Sequence, residues 1–403
     1  MKNTSIHPRK KMYKGVIFKA VQNLGQTTRV ELSTKLGVNK NTVSTIVDEL
    51  IYEGLIKEGG TVSTKNVGRN PTNLEVDPEA FQIIGMSISA DQIILTLTDF
   101  HGKPIHTELS KNTSHDVDSV KNKIIEMIRN TLNQFKDKKT LGIGIGVPGI
   151  LSDNKEGIKY SSHLKWNNVE LKRLIIEELD MEINIQLNNS VKMAAIGEIY
   201  QSSVTNKETV FYCNIGHGVG GSIVIDGKTL EGANHSAGEF GHITIDPSGP
   251  LCNCGNRGCL ESLISSPNLV YLAIEKIRSN PDSPMNDLLQ NSIQAIEIED
   301  LVAFANKREA IAVEIIRQAG QYLGTGLSYV VNLLNPDRII LSGNIVKAEE
   351  ILFESIKTEL RKRCLPTSLQ TIQIESSSLG TFAVSIGAAT SVIYDWVPKN
   401  NTK

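Results

Sequence analysis

The segment His242 to Glu261, HITIDPSGPLCNCGNRGCLE, constrains this chain more than any other stretch. It gathers one histidine and three cysteines, Cys252, Cys254 and Cys259, in a Gly/Pro-rich run, with Glu239 three residues ahead and Glu261 closing it. Three of the chain's five cysteines fall within eight residues, a poor arrangement for filling a core and a good one for a tetrahedral metal site. Soft thiolates with one imidazole match Zn2+, and a closed Cys3His set with no spare position is the structural kind of zinc site. The competing readings are a loop with chance cysteines and a disulfide. Cys252-Asn-Cys254 is too tight for ordinary disulfide geometry, and Gly255 and Gly258 supply the turns a chelating knuckle needs. The expectation is a structural Zn2+ held by His242, Cys252, Cys254 and Cys259.

A chain of 403 residues is too long for one small core and long enough for two or three domains. Its 40% hydrophobic and 21% charged content are those of an ordinary globular protein, which excludes disordered and fibrous classes. The first residues, MKNTSIHPRKKMYKG, are basic with no apolar run behind them, unlike a secretory signal, and no stretch approaches the length of a membrane span. Clustered cysteines fit a reducing compartment and a metal rather than a disulfide framework. A cytoplasmic protein without membrane contact is expected.

The charge is divided unevenly. Residues 1–71 carry 12 Lys/Arg against 5 Asp/Glu, a net of +7, while the remaining 332 hold 30 against 39, a net of −9. A basic head on an acidic body suggests that the head meets a polyanion. Within it, Ile17, Ala20, Val21 and Leu24 recur at helical spacing up to Gly25. Thr28-Arg-Val-Glu31 reads as a capping box opening a second helix, and Asn39 caps a third with the apolar stripe Val43, Ile46, Val47, Leu50 and Ile51. Helix, glycine turn, helix, then a strand near Leu55 is helix-turn-helix spacing. The opposite face of the third helix offers Asn39, Lys40, Asn41, Thr42, Ser44 and Thr45 for bases and phosphates, and a Gly-rich hairpin after it offers Lys65 and Arg69 as a wing. Trihelical folds also occur without nucleic acid, but the charge and the polar face favour operator DNA, read by a homodimer on a palindrome.

From about residue 79 strands alternate with helices, the pattern of an α/β body. With the winged helix, the segments GRNP, GEFGH (Glu239 and His242), CNCGNRGCLE and LLNPDRIILSG make the whole chain resemble the ROK family of bacterial sugar kinases and sugar-responsive repressors. The resemblance implies an N-terminal winged helix-turn-helix over residues 1–77 and a two-lobed, actin-like ROK sugar-kinase-type fold over 78–403. One lobe spans about 78–197 plus a C-terminal helix at 387–403, and the other about 198–386 with the zinc loop. It also implies sugar contacts from Asn189, Glu239, His242 and Glu261. Carboxylates and an amide suit vicinal hydroxyls, and a histidine can hold zinc through one nitrogen and a ligand through the other.

The chain departs from the kinases of that family where phosphoryl transfer needs a base. They carry Asp after the matching asparagine; here it is Ser190. The first phosphate motif is degraded to GMSISADQ, with Ser87, Ser89, Ala90 and Asp91, and IGHGVGG keeps Gly216, Gly218, Gly220 and Gly221 but has His217 in place of threonine. No catalytic residue is therefore expected, and the reading is a sugar-responsive transcriptional repressor released from its operator by free sugar. Head and body together look most like the xylose repressors of Gram-positive bacteria, so xylose is the favoured monosaccharide, with glucose, fructose or an N-acetylated amino sugar as alternatives. The rivals are an active sugar kinase with a DNA-binding head and a regulator that senses zinc.

Overall fold

The computed structural model describes residues 8–61, 71–201, 208–291 and 296–396. The head is α1 (Pro8–Leu24), β1 (Thr27–Thr28), α2 (Arg29–Leu36), α3 (Lys40–Tyr52), β2 (Ile56–Thr61) and β3 (Thr72–Val76), its strands ordered β1-β3-β2. Gly37, at φ 62°, ends α2, and the Asn39 side chain accepts the Asn41 N–H at 2.8 Å to start α3. The capping box expected at Thr28 forms only in half. Thr28 Oγ1 accepts the Glu31 N–H, but the Glu31 carboxylate turns instead to the Thr27 hydroxyl and to Lys35 one turn on, which compete for it. Arg29 ties the unit together by donating to Asp48 at 2.7 Å and Glu58 at 2.8 Å.

The first lobe contains β4 (Gln82–Ile88), β5 (Gln92–Asp99), β6 (Pro104–Lys111), α4 (Val117–Gln134), β7 (Thr140–Val147), β8 (Ile150–Leu151), β9 (Ile158–Ser161), β10 (Trp166–Val169), α5 (Leu171–Leu179), β11 (Asn184–Asn189) and α6 (Ser190–Gln201). Its five-stranded sheet has the order β11-β7-β4-β5-β6, and β8, β9 and β10 form a small sheet beside it. The central strand β4 is buried at every position because both faces of the sheet are covered.

The second lobe comprises β12 (Val210–Ile215), β13 (Val219–Ile225), β14 (Lys228–Thr229), α7 (Leu260–Ile264), α8 (Ser266–Arg278), α9 (Asn286–Asn291), α10 (Ile298–Asn306), α11 (Ala310–Leu334), β15 (Arg338–Ser342), α12 (Glu349–Arg363) and β16 (Gln373–Ser376). Its sheet runs β14-β13-β12-β15-β16. The chain then returns to the first lobe as α13 (Ala383–Trp396), which lies along α6 and under β4 and β7. The approach is close enough that a Cβ on Gly387 would stand 1.7 Å from the Met193 carbonyl oxygen.

The apolar core of the head does not stop near residue 77. Ile17, Phe18 and Val21 of α1 share one cluster with Ile83, Phe100, Ala389, Val392 and Ile393. Phe18 packs on Phe100 and Trp396 with ring centroids 5.8 and 5.6 Å apart, so the start, middle and end of the chain meet at one aromatic junction. Among the described residues no helix is long and apolar enough to cross a membrane.

Candidate functional site

The loop between β14 and α7 brings His242, Cys252, Cys254 and Cys259 together, with one donor atom from each and all four atoms within 4.8 Å of one another. His242 Nδ1 lies 3.7 Å from Cys252 Sγ, and Cys254 Sγ lies 3.6 Å from Cys259 Sγ. Zinc–sulfur bonds of about 2.3 Å in a tetrahedron place sulfurs roughly 3.8 Å apart, so the set fits such an ion. Gly258 makes the loop sharp. Its φ is +65°, and any Cβ there would sit 1.4 Å from the Asp246 carbonyl oxygen. Burial, together with the neighbouring thiols, pushes the Cys259 thiol up to about 12, and burial also raises Cys252, whereas the Asn256 N–H draws Cys254 down. These residues can hold a metal ion, and an ion would relieve the crowding of three sulfurs.

The His242 ring faces two ways. Nδ1 points at the cysteines, and Nε2 lies 3.9 Å from Glu239 Oε2. Burial raises the Glu239 carboxyl above its usual range, opposed by the positive field of His242 and Lys192. Glu261, on α7, is 8% exposed and accepts the Val219 N–H at 2.9 Å. Across the cleft, Asn189 ends β11. Its Oδ1 accepts the N–H groups of Val191 and Lys192, capping α6, while its Nδ2 donates to Gly149 O at 2.9 Å. One N–H of that amide remains for a ligand.

Sequence reasoning missed an ionic junction between the lobes. Lys192 of α6 is 3% exposed and donates to Glu231 at 3.1 Å and to the His235 carbonyl at 2.9 Å. Lys155 approaches the same carboxylate at 3.3 Å and His235 Nδ1 at 3.0 Å. Burial works against ionisation of Glu231, but the His235 and Lys192 hydrogen bonds outweigh it and hold its pKa down to about 2. The available signal was Lys192 itself, a lone charge in the apolar run VKMAAIG.

On the head, Asn39, Lys40, Asn41 and Thr45 are exposed, and Thr42 and Ser44 are half-buried. Asn39 is engaged as the cap of α3, and Thr45 Oγ1 donates back to the Asn41 carbonyl at 3.0 Å. Lys65 and Arg69 lie outside the described residues.

The ROK family profile matches residues 83–394. The chain belongs to the ROK family. A putative xylose repressor of Caldicellulosiruptor sp. is 30% identical over 392 residues, 96% of each chain. The xylose repressor of Bacillus subtilis is 28% identical over 386 residues, 95% of each. Among solved structures, a ROK family transcriptional regulator homologous to Escherichia coli Mlc superposes with a TM-score of 0.83 at 26% identity, over 96% of this chain and 97% of that one. A Streptomyces griseus ROK glucokinase in complex with glucose and AMPPNP shares the fold of the body, with a TM-score of 0.69 at 24% identity over 77% of this chain and 98% of its own.

In this ROK chain, Ser190 is the first residue of α6. The turn from β4 to β5 is closed by Ser89, whose hydroxyl donates to Asp91 at 2.7 Å. Gly216 and Gly218 form the β12–β13 hairpin turn, with His217 exposed at its tip.

Proposed function

We propose that this ROK protein is a cytoplasmic, dimeric, sugar-responsive repressor whose heads grip a palindromic operator and release it when free monosaccharide, xylose by preference, enters the cleft. The reading rests on one observation above all: α6 is a single helix that starts directly after Asn189 and carries in its last turn Tyr200, whose hydroxyl accepts a hydrogen bond from Gln22 of the head at 2.9 Å. A ligand that reseats the cleft end of α6 therefore acts on α1 without an intervening linker. The near full-length likeness to named xylose repressors supports the choice of sugar.

Asn189, Glu239, His242 and Glu261 supply the polar contacts. A hydroxyl placed between Glu239 and His242 Nε2 gives up a hydrogen bond to the carboxylate and takes one from the ring. His242, through Nδ1, and the three cysteines would hold Zn2+ as a structural cofactor, which would fix the ring's tautomer and orientation. The chain is not an enzyme on this reading. Ser190 has no basicity to take a proton from a sugar hydroxyl at neutral pH, and Asp91 puts negative charge in the segment where the family's kinases bind phosphate.

The test is fluorescence anisotropy on a labelled DNA fragment from upstream of the protein's own gene, with xylose, glucose, fructose and N-acetylglucosamine added in turn. Xylose is expected to weaken binding about a hundredfold, which requires about 2.7 kcal/mol of coupling. Sugar-dependent ADP release from Mg-ATP that is lost in Glu239→Gln would establish a kinase instead. DNA affinity tracking free zinc would establish a metal sensor.

A further inference from the structure

Among the described residues, a histidine at the meeting of the lobes has no hydrogen-bond partner. His163 sits in the turn between β9 and β10, held by the Leu164 N–H on Ser161 Oγ at 3.3 Å and by the burial of Leu164 and Trp166 on either side of Lys165. It belongs to the first lobe. Its ring makes no hydrogen bond among the described residues, and it faces Glu261 of the second lobe, with Nε2 and Oε2 separated by 3.9 Å. That is too long for a hydrogen bond, although the Glu261 side chain is 11% and the His163 side chain 30% exposed. The turn carrying His163 continues the wall on which Asn189 stands. Asn189 donates to Gly149 O, and a Cβ on Gly149 would touch Tyr160 O and Ser161.

We propose that His163 is a ligand-contacting residue that, with Glu261, brackets one hydroxyl of the bound sugar from opposite lobes. A hydroxyl oxygen bonded at about 2.8 Å to each of two groups bridges a gap of roughly 4 Å, donating to the carboxylate and accepting from the imidazole N–H. The space for it is kept by Gly218, where a Cβ would stand 2.6 Å from both Glu261 Oε2 and His163 Nε2. A hydroxyl held in this way draws the small β8–β10 sheet toward α7 and so gives ligand binding a means of closing the cleft.

The inference rests on the sugar reading above, and calorimetric titration of the full-length protein with xylose, glucose, fructose and N-acetylglucosamine separates the two. His163→Ala is expected to weaken binding of the preferred sugar at least tenfold, and His163→Gln, which keeps a donor at similar reach, to restore it to within about threefold. Gly218→Ala, whose methyl group would stand 2.6 Å from both polar atoms and push them out of the gap, is expected to abolish binding. Operator affinity without sugar should not change in any of the three. A histidine nitrogen spectrum should show one ring other than His242 shifting on sugar addition, absent in His163→Gln, a readout that a merely structural role does not move. If Asn189→Ala and Glu239→Gln lose the sugar while His163→Ala binds it as the parent does, the inference is wrong and the sugar reading stands. If the parent protein binds none of the four sugars, both fall together.

Discussion

Gln22 of α1 donates a hydrogen bond to the hydroxyl of Tyr200 at 2.9 Å, joining the first helix of the head to the last full turn of the helix that starts in the cleft. Tyr200 is otherwise buried against Tyr394 of α13, and burial lifts its phenol to about 12, so it stays a neutral hydroxyl across the physiological range.

Tyr200→Phe removes this one bond and keeps the ring. The expected cost in stability is about 1 kcal/mol. Operator affinity without sugar should stay close to that of the parent, while sugar-driven release should fall severalfold. Anisotropy titrations with and without xylose measure both, and unchanged release would place the coupling along another path.

Asn189 is expected to do two things, and substitutions separate them. Asn189→Asp keeps an oxygen to cap α6, and Asn189→Ala loses the cap at about 1 kcal/mol. Both lose the amide N–H that faces the cleft. Sugar affinity measured by calorimetry should therefore drop in both. Melting temperature should also drop in both, because Asn189→Asp sets a carboxylate oxygen against Gly149 O, but amide exchange at Val191 and Lys192 should quicken only in Asn189→Ala.

Replacing Glu231 with Gln leaves the Lys192 ammonium buried with the His235 carbonyl as its remaining partner. Breaking a fully buried pair costs about 3–5 kcal/mol; since Glu231 keeps partial solvent contact, about 1–3 kcal/mol is expected at pH 7. The pKa of Glu231 is lower in the folded chain than the ordinary 4.5, so its contribution is present above that value and is lost as pH falls toward about 2. Denaturant unfolding at a series of pH values should show parent and Glu231→Gln converging in acid and parting near neutrality. A gap that stays constant down to pH 2 would refute the assignment.

Metal analysis of the purified chain should find one zinc per chain, reduced by Cys254→Ser. Cys254 is the exposed cysteine of the four-ligand set, so its replacement disturbs packing least. Removing the ion is expected to lower the melting temperature and abolish sugar binding together, since the proposed function assigns His242 to both. Sugar binding that survives chelation would separate the loop from the cleft.

Trp396→Ala opens a cavity in the aromatic junction and should cost about 2–4 kcal/mol. Sugar titrations should show an intact cleft, and anisotropy should show weaker DNA binding, because the removed ring is one of the two that Phe18 of the head packs against.

The head and the metal loop were legible because their signals are local. The stripe Val43, Ile46, Val47 and Leu50 repeats within one helix, and the donors Cys252, Cys254 and Cys259 are close in sequence as well as in space. Thr28 and Asn39 announced caps, although Glu31 had two better partners than the Thr28 backbone. His163 gave no signal because its meaning comes from Glu261, almost a hundred residues away on the other lobe. Glu231 was equally silent, being defined by Lys155 and Lys192 across the cleft. The junction of Phe18, Phe100 and Trp396 escaped for the same reason: each residue reads as ordinary core where it stands. Periodicity reports which face is buried and not what buries it.

That junction bears on how such regulators can be re-engineered. A reader domain that could be lifted off at residue 77 would be a cassette, free to be fitted to any sensor. Here the cut would strip Phe18 of Phe100 and Trp396 and leave an apolar scar on both pieces. Chimaeras that give this sensor a new operator should therefore exchange residues on the outer face of α3 and leave α1 with the body on which it is seated.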